Sequence, residues 1–152
     1  MKIDIAIKNA CKELKKSKIN SALLDSELLL SKVIKKDRKF ILLNLDKELD
    51  QSTQDNFKNL IFKRSKGKPL AYLTGIKSFW KYDFKVNEKV LIPRPDTEIV
   101  IEQVLKIYKN KNCLNFLEIG VGSGCIALSI LKEKKSFLGT GIDLSQDCIE
   151  IC

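Results

Sequence analysis

The sequence predicts a mixed α/β protein in which a helical bundle and a short β-hairpin connector precede the first βαβ part of a doubly wound parallel sheet. Apolar residues recur at helical spacing over residues 1–68, and aromatic residues alternate with polar ones over 77–86. Beyond residue 113, two apolar runs flank a glycine cluster and an apolar helix, as in a parallel βαβ unit. We therefore divide the chain into a bundle (1–68), a connector (69–96) and a partial α/β domain (97–152).

Four helices are predicted in the bundle. The first has apolar residues at intervals of four, three and four along one face: Ile3, Ile7, Ala10 and Leu14. A second helix is expected from about residue 20 to 35, and a short third one near residues 40–43. Ser52 is the predicted N-cap of the fourth helix, which the pair Gly67 and Pro69 ends.

The second half of the chain has shorter elements. The two prolines of Pro93-Arg94-Pro95 disfavour helical backbone at the residues before them, which predicts a stiff, extended linker. Thr97 is the predicted N-cap of the next helix. Residues 114–119 and 137–143 are the two predicted strands, and Ser145 is the predicted cap of a last helix.

Composition excludes several classes of site. The chain has no histidine, so it cannot form a serine–histidine or cysteine–histidine pair or a histidine metal site. Its five cysteines form no Cys-x-x-Cys pair, so we expect reduced, buried thiols with neither a disulfide framework nor a metal site. No apolar run reaches the ~20 residues of a membrane span, and the N-terminus lacks the apolar core of a signal peptide. We therefore expect a cytoplasmic protein without a membrane partner.

The net charge of +9 suggests an anionic partner, such as nucleic acid or a ribosomal component. However, lysines occur in every segment of the chain, and only three arginines could make planar bidentate contacts. The net charge alone therefore assigns no partner.

A glycine-rich turn between the first predicted strand of the α/β domain and the following helix is the strongest candidate for a binding site. Glycine permits a sharp turn and lets a ligand approach the main chain, and the helix start has free N–H groups. Asp143 ends the next strand 19 residues after Gly124, close to the ~20-residue spacing at which an acid binds ribose hydroxyls. The predicted nucleotide-binding residues are Glu118, Gly120, Val121, Gly122, Ser123, Gly124 and Asp143.

This turn has three alternative interpretations. A dinucleotide fingerprint needs glycine or alanine where this chain has Cys125, and a P-loop needs a Lys-Ser or Lys-Thr pair that is absent here. A tight turn without a ligand is the third alternative, and the joint occurrence of the loop, the helix and the distal acid favours a binding site over it. Glycines separated by single residues, after a strand that ends in an acid, instead resemble the first motif of class I S-adenosylmethionine-dependent methyltransferases.

Two other segments are similar to one particular family. They are Gly67-x-Pro69-Leu-Ala-Tyr72-Leu-Thr-Gly75 with the following Phe79-Trp80, and Val90-Leu-Ile-Pro-Arg-Pro-Asp-Thr-Glu98. With them the chain resembles, over essentially all 152 residues, the N-terminal part of the peptide chain release factor glutamine N5-methyltransferases. A related family that methylates a ribosomal-protein glutamine usually has serine after the arginine, so Pro95 and Thr97 favour the release-factor branch.

The resemblance implies a fold, a cofactor and a reaction. It implies a helical bundle for substrate recognition, a hairpin connector and a methyltransferase domain that binds S-adenosyl-L-methionine. The methyl group passes to the side-chain amide nitrogen of a glutamine in a release factor, and nucleic acid is not required. Residues that border the active site would be Pro93, Arg94, Pro95, Thr97 and Glu98. In the alternative interpretation, the Pro-Arg-Pro segment is only a stiff connector, and Arg94 pairs with a nearby acid.

The catalytic Asn-Pro-Pro-Tyr loop of that family has no counterpart here, because the chain contains no Asn-Pro pair. We therefore assign no catalytic residue, expect the 152-residue chain alone to be inactive, and consider a complementary C-terminal chain as a partner. Two other functions stay open: a non-catalytic module that docks a release factor or ribosomal component, and a methyltransferase acting on a ribosomal-protein glutamine or on nucleic acid. The uncovered strands of a partial sheet also predict aggregation or pairing with another chain.

Overall fold

The computed structural model describes all 152 residues and forms two compact units, Met1–Thr74 and Gly75–Cys152. The first unit has five helices: α1 (Ile3–Lys16), α2 (Ala22–Ile34), α3 (Arg38–Leu43), α4 (Gln51–Ser65) and α5 (Leu70–Thr74). The second has β1 (Ile76–Phe79), β2 (Tyr82–Lys85), a 3₁₀ turn (Pro95–Thr97), α6 (Glu98–Ile107), β3 (Asn115–Ile119), α7 (Cys125–Glu133), β4 (Leu138–Ile142) and α8 (Gln146–Ile151). The mixed α/β class predicted from the sequence is confirmed. No helix combines the length and the apolar composition that crossing a bilayer requires.

Helix α2 is the central element of the first unit, where it contacts α1, α3, α4 and α5. Three consecutive polar residues in it, Asp25, Ser26 and Glu27, are all buried. Successive helix residues point about 100° apart, so their joint burial means that α2 is enclosed on most sides. The predicted apolar face of α1 is also confirmed. The core consists of Ile3, Ala6, Ile7, Ala10, Leu14, Ala22, Leu29, Leu30, Ile41, Leu49, Phe57, Ile61 and Leu73.

Two arginines neutralise the buried acids of α2. The Nε of Arg64 lies 2.7 Å from Oδ2 of Asp25, and its Nη1 donates to the carbonyl oxygen of Lys68 at 3.1 Å. The Nε of Arg38 lies 2.6 Å from Oε2 of Glu27. Buried carboxylates need such partners because removing a charge from water is costly. Two of the three arginines in the chain therefore have structural roles.

The helix caps differ from those predicted. Ser52 lies inside α4, and Asp50 caps this helix by accepting a hydrogen bond from the Thr53 N–H at 2.7 Å. Thr97 occupies the N-cap position of α6, but it has helical backbone angles and its side chain makes no capping hydrogen bond. Ser145 precedes α8 without a capping bond from its side chain. Aspartate and serine are both good caps, and the structure selects Asp50, two residues before Ser52.

The cysteines are all free, but their burial differs from the expectation. Cys148 is buried, Cys11 and Cys125 are half-buried, and Cys113 and Cys152 are exposed. Burial raises the pKa of the Cys125 thiol, which keeps it protonated at neutral pH. The prediction of buried thiols is therefore wrong for the two exposed residues.

The predicted hairpin is confirmed, since β1 and β2 pair antiparallel with Phe79 opposite Tyr82. Trp80 follows Phe79 with a φ of 57°, the left-handed conformation of a tight turn. The rings of Phe79 and Phe84 pack edge to face, with centroids 6.1 Å apart. The hairpin shares one core with the helices and the sheet of this unit, and its buried residues are Phe79, Phe84, Ile101, Ile130 and Phe137.

Glu133, the last residue of α7, fastens the hairpin to that helix. Its Oε1 accepts hydrogen bonds from the indole N–H of Trp80 at 2.9 Å and from the hydroxyl of Tyr82 at 3.3 Å, and the Nζ of Lys81 lies 2.8 Å away. These donors, with Lys81 the strongest, hold the pKa of the Glu133 carboxyl below its ordinary value. The ionised carboxylate is thus the form that binds the hairpin.

Protonation of Glu133 is expected to loosen the hairpin at acidic pH. Because the folded-state pKa is lowered, the stabilisation is present above the ordinary glutamate pKa and is lost as the pH falls through the lower folded value. Trp80 is the only tryptophan, so its fluorescence between about pH 6 and pH 2 reports the change. The Glu133→Gln variant should lack this titration while keeping its far-ultraviolet circular dichroism. An unchanged titration in that variant would contradict the assignment.

The predicted βαβ unit is confirmed, since β3 and β4 pair in parallel with Phe116 opposite Gly139. Side chains alternate between the two faces of a sheet. On the face that packs on the core, the Phe116 ring lies where a side chain at Gly139 would otherwise point. The opposite face, called here the bare face, presents four aliphatic side chains that are 46% to 78% exposed: Leu117, Ile119, Leu138 and Ile142.

Substitution of Gly139 by alanine is expected to destabilise the fold by about 1–3 kcal/mol through overpacking. The added Cβ would lie 2.6 Å from Cζ of Phe116, closer than any real contact. Thr140→Ala, one residue along on the bare face, is the matched control and should change stability by less than about 0.5 kcal/mol. Urea denaturation measures both variants. A second change, Phe116→Leu, should recover part of the loss, and a loss that Phe116→Leu leaves unchanged would point to another cause.

Candidate functional site

The glycine turn lies at the carboxyl end of β3 and leads directly into α7. Gly120 and Gly122 have φ values of 78° and 55°, which a residue with a side chain rarely adopts. No atom lies within 4 Å of the position that a Cβ of Gly120 would take, and a Cβ of Gly122 would meet only the Gly120 carbonyl oxygen, at 4.0 Å. The main chain at these two residues is therefore open to a ligand.

Asp143 follows β4 and is bound to this turn. Its Oδ2 accepts a hydrogen bond from the Gly122 N–H at 2.9 Å, and its Oδ1 accepts one from the Ser145 N–H at 2.9 Å. The Ser145 and Gly122 amides hold the pKa of the Asp143 carboxyl below its ordinary value. Each carboxylate oxygen keeps a second lone pair. The carboxylate is thus ionised, fixed in position and able to accept further hydrogen bonds from hydroxyl groups.

Glu118 has a contact that the sequence did not predict. Its Oε2 accepts a hydrogen bond from the N–H of Ala127, the third residue of α7, at 2.8 Å. It therefore satisfies one of the free donors at the start of that helix and favours its positive end. Burial raises the pKa of the Glu118 carboxyl. In the structure, this acid positions α7 relative to β3.

Val121 and Ser123 are buried, so a ligand at the turn would meet their main chain and not their side chains. A Cβ at Gly124 would overlap the Sγ of Cys152 and would lie 2.9 Å from Cδ1 of Leu128. Gly124 thus permits close packing, whereas Gly120 and Gly122 leave open space. A cavity of about 240 Å³, which includes only Val121 of the turn residues, is lined by Val121, Ala127, Leu128, Leu131, Gly139, Gly141, Ile149 and Cys152.

The residues predicted to border the active site have different surroundings. Pro93 is buried, and Arg94 and Pro95 are exposed. The structure shows no ion pair between the Arg94 guanidinium and an acid, and both interpretations of the Pro-Arg-Pro segment stay predictions. Thr97 is half-buried in the 3₁₀ turn, and Oε1 of Glu98 accepts a hydrogen bond from the Trp80 N–H at 2.8 Å. The structure therefore ties Glu98 to the hairpin.

Sequence reasoning missed two contacts between α8 and the segment that follows β2. The Nζ of Lys89 lies 2.6 Å from Oδ1 of Asp147, and the Cys148 thiol donates to the Lys89 carbonyl oxygen at 3.8 Å. Long-range pairs of this kind leave no periodic signal in a sequence. The bond between Asp143 and the Ser145 N–H did have a signal, because an aspartate often accepts from the amide two residues later.

Comparison with known proteins connects these features to one family. Residues 6–75 match the family described as the PrmC N-terminal domain. A release factor glutamine methyltransferase of Leptospira interrogans is 40% identical over 91% of this chain and 49% of its own length. One of Buchnera aphidicola is 38% identical over 99% of the chain and 54% of its own length. By sequence, the chain is similar to release factor glutamine methyltransferases over nearly all of its length.

A bifunctional methyltransferase of Rickettsia conorii is also similar, with 35% identity over 95% of this chain and 32% of its own length. The chain thus spans about a third to a half of the relatives that it matches. The match to the PrmC N-terminal domain corresponds to the helical unit, whereas the similarity to the release factor glutamine methyltransferases continues through most of the second unit.

Proposed function

We propose that this protein binds S-adenosylmethionine and forms the N-terminal part of a methyltransferase that modifies a glutamine side-chain amide in peptide chain release factors. The family supports the reaction class. The observation that carries the cofactor assignment is the 2.9 Å hydrogen bond between the Asp143 carboxylate and the Gly122 N–H, because it joins the acid to the glycine turn. Release factors act on ribosomes, so the proposed place of action is the cytoplasm.

The residues at the turn fit an adenosyl nucleoside. Gly120 and Gly122 leave the main chain open to a ligand, and the Asp143 carboxylate has lone pairs for two ribose hydroxyls. Glu118 contributes by holding the start of α7 against the turn. S-adenosylmethionine, when bound, supplies an electrophilic methyl group on its sulfonium.

Methyl transfer to an amide also requires groups that orient the substrate. An amide nitrogen is a poor nucleophile, so its two hydrogens must be held by acceptors while it is oriented toward the methyl group. In the resembled family an Asn-Pro-Pro-Tyr loop does this, and these 152 residues contain no Asn-Pro pair. We therefore propose that this chain provides cofactor binding and substrate docking, and that the 152 residues alone do not transfer the methyl group.

Isothermal titration of the 152-residue protein with S-adenosylmethionine tests the cofactor assignment. We expect saturable binding of one equivalent, and no binding of free methionine, which lacks the ribose. The absence of binding by S-adenosylmethionine would contradict the assignment. Incubation with tritiated S-adenosylmethionine and a purified release factor tests the second part, and incorporation of label by this chain alone would refute it.

A further inference from the structure

The positive charge of the protein is concentrated in the helical unit. Residues 1–74 contain 17 lysines and arginines and 9 aspartates and glutamates, a net charge of +8. Residues 75–152 contain 11 and 10, a net charge of +1. The unit that matches the PrmC N-terminal domain is therefore strongly basic, and the unit with the glycine turn is almost neutral.

A shallow, open groove along α1 contains part of this charge. It has a volume of about 600 Å³ and is lined by Lys8, Cys11, Lys12, Lys15, Lys16 and Leu23. These six residues define the lysine groove. Lys8 also lies 3.2 Å from Asp4, whereas the three lysines that follow it in the groove have no carboxylate partner in the protein. No acidic residue is among its lining residues.

The spacing of these lysines suits a helical partner. Lys8, Lys12 and Lys15 follow each other at intervals of four and three, so their side chains lie in a row on one helix face. From Lys8 to Lys16 this row is about 12 Å long, which corresponds to two turns of a helix laid alongside it. Glutamates or aspartates at the same spacing on a partner helix could face each lysine in turn.

The floor of the groove is apolar. Leu23 is 53% exposed and Cys11 is half-buried, and the aliphatic stems of the lysines surround them. An apolar side chain between the acids of a partner helix would cover Leu23. Nucleic acid is a poorer match, because the groove has neither an aromatic ring on which a base could stack nor an arginine.

We propose that the lysine groove binds an acidic, amphipathic helical segment of the protein substrate. The groove itself is inferred from charge, spacing and shape, and it rests on the proposed function only for the source of the segment. The groove gives the helical unit a defined docking surface, built by α1 and the start of α2. Binding of this kind depends on ionic strength, because the contacts are between solvent-exposed charges.

Fluorescence anisotropy with the full 152-residue protein tests the proposal. The probe is a labelled peptide of about 18 residues with glutamates and leucines at helical spacing, and its control has glutamine in place of each glutamate. We expect the glutamate peptide to bind and to weaken as salt rises from about 50 to 200 mM. The variant Lys12→Gln/Lys15→Gln/Lys16→Gln is expected to bind it about tenfold more weakly.

The matched control is Lys32→Gln/Lys39→Gln/Lys63→Gln, which removes the same charge from exposed positions of the same unit outside the groove. It should weaken binding by less than about twofold. Leu23→Ser tests the apolar floor without a change of charge, with about fivefold weaker binding expected. Circular dichroism verifies that each variant is folded.

Equal weakening by the two triple-lysine variants would overturn the proposal, as would equal binding of the glutamate and glutamine peptides. Stronger competition by single-stranded poly(U) than by unlabelled peptide would assign the groove to nucleic acid instead. Titration of the groove variant with S-adenosylmethionine separates this test from that of the proposed function. If the groove variant loses peptide binding but retains cofactor binding, the result bears on the groove alone. If it retains peptide binding but loses cofactor binding, the result bears on the glycine turn.

Discussion

Replacement of Asp143 by alanine is expected to weaken binding of S-adenosylmethionine by about 100-fold or more, since the two charge-assisted hydrogen bonds that we propose it makes to the ligand would be lost. The variant also leaves the Gly122 and Ser145 N–H groups without their acceptor, which loosens the turn itself. Both effects weaken the binding of the cofactor. Isothermal titration of the wild-type protein and the variant at equal salt measures the change.

Asp147→Ala provides the matched control for Asp143. It removes a carboxylate four residues away that pairs with Lys89 and does not contact the turn. We expect less than about a threefold change in cofactor affinity. A comparable loss in both variants would mean that the α8 region as a whole, and not the Asp143 carboxylate, supports binding.

The pH dependence of cofactor binding follows from the same contacts. The Ser145 and Gly122 amides lower the pKa of Asp143, so its carboxylate stays ionised throughout the neutral range. Affinity should therefore be flat around neutral pH and fall only when the pH drops below the ordinary aspartate value. A loss of affinity that begins near pH 6 would indicate that a different group controls binding.

Replacement of Arg64 by methionine is expected to destabilise the first unit by about 3–5 kcal/mol, because it leaves a buried charge without a partner. Asp25 is only 2% exposed and has its Oδ2 2.7 Å from the arginine Nε. Methionine keeps the unbranched, apolar first part of the arginine side chain, so the loss reports mainly the missing guanidinium. Thermal and urea denaturation, followed by circular dichroism, give the change in the free energy of unfolding.

The double variant Asp25→Leu/Arg64→Met separates charge from packing. Removing both partners of a buried pair is often neutral or stabilising, so most of the lost stability should return. Lys63→Met, one residue before Arg64 and exposed, is the surface control and should change stability by less than about 0.5 kcal/mol. Persistence of the full loss in the double variant would show that Arg64 acts through its bond to the Lys68 carbonyl instead.

Regular patterns in the sequence predicted the regular parts of the fold. The spacing of Ile3, Ile7, Ala10 and Leu14 identified the buried face of α1, and the order of runs after residue 113 identified the parallel pair. The caps were less predictable, because Asp50 and Ser52 have similar propensities and only the tertiary context selects one. The burial of Asp25 and Glu27 was not predictable, because it depends on arginines 39 and 11 residues away in the chain.

The same distinction applies to the candidate site. The spacing between the glycine turn and Asp143 placed both at one edge of the sheet, where the structure joins them by a hydrogen bond. The contact of Glu118 with Ala127 needed the position of α7 relative to β3, which no local pattern specifies. The distribution of charge between the two units was also difficult to recognise from the sequence. Lysines that look evenly scattered along the chain fall mostly in one unit once its limit at Thr74 is known.

The difference between the two faces of the β3–β4 sheet also predicts how strongly this protein associates in solution. The bare face is an exposed, uncharged aliphatic surface formed by Leu117, Ile119, Leu138 and Ile142. Light scattering should therefore rise steeply with concentration and with added sulfate, which strengthens apolar association. A lysine in place of Leu138 should suppress that turbidity, and a mild detergent should do the same for the unaltered chain.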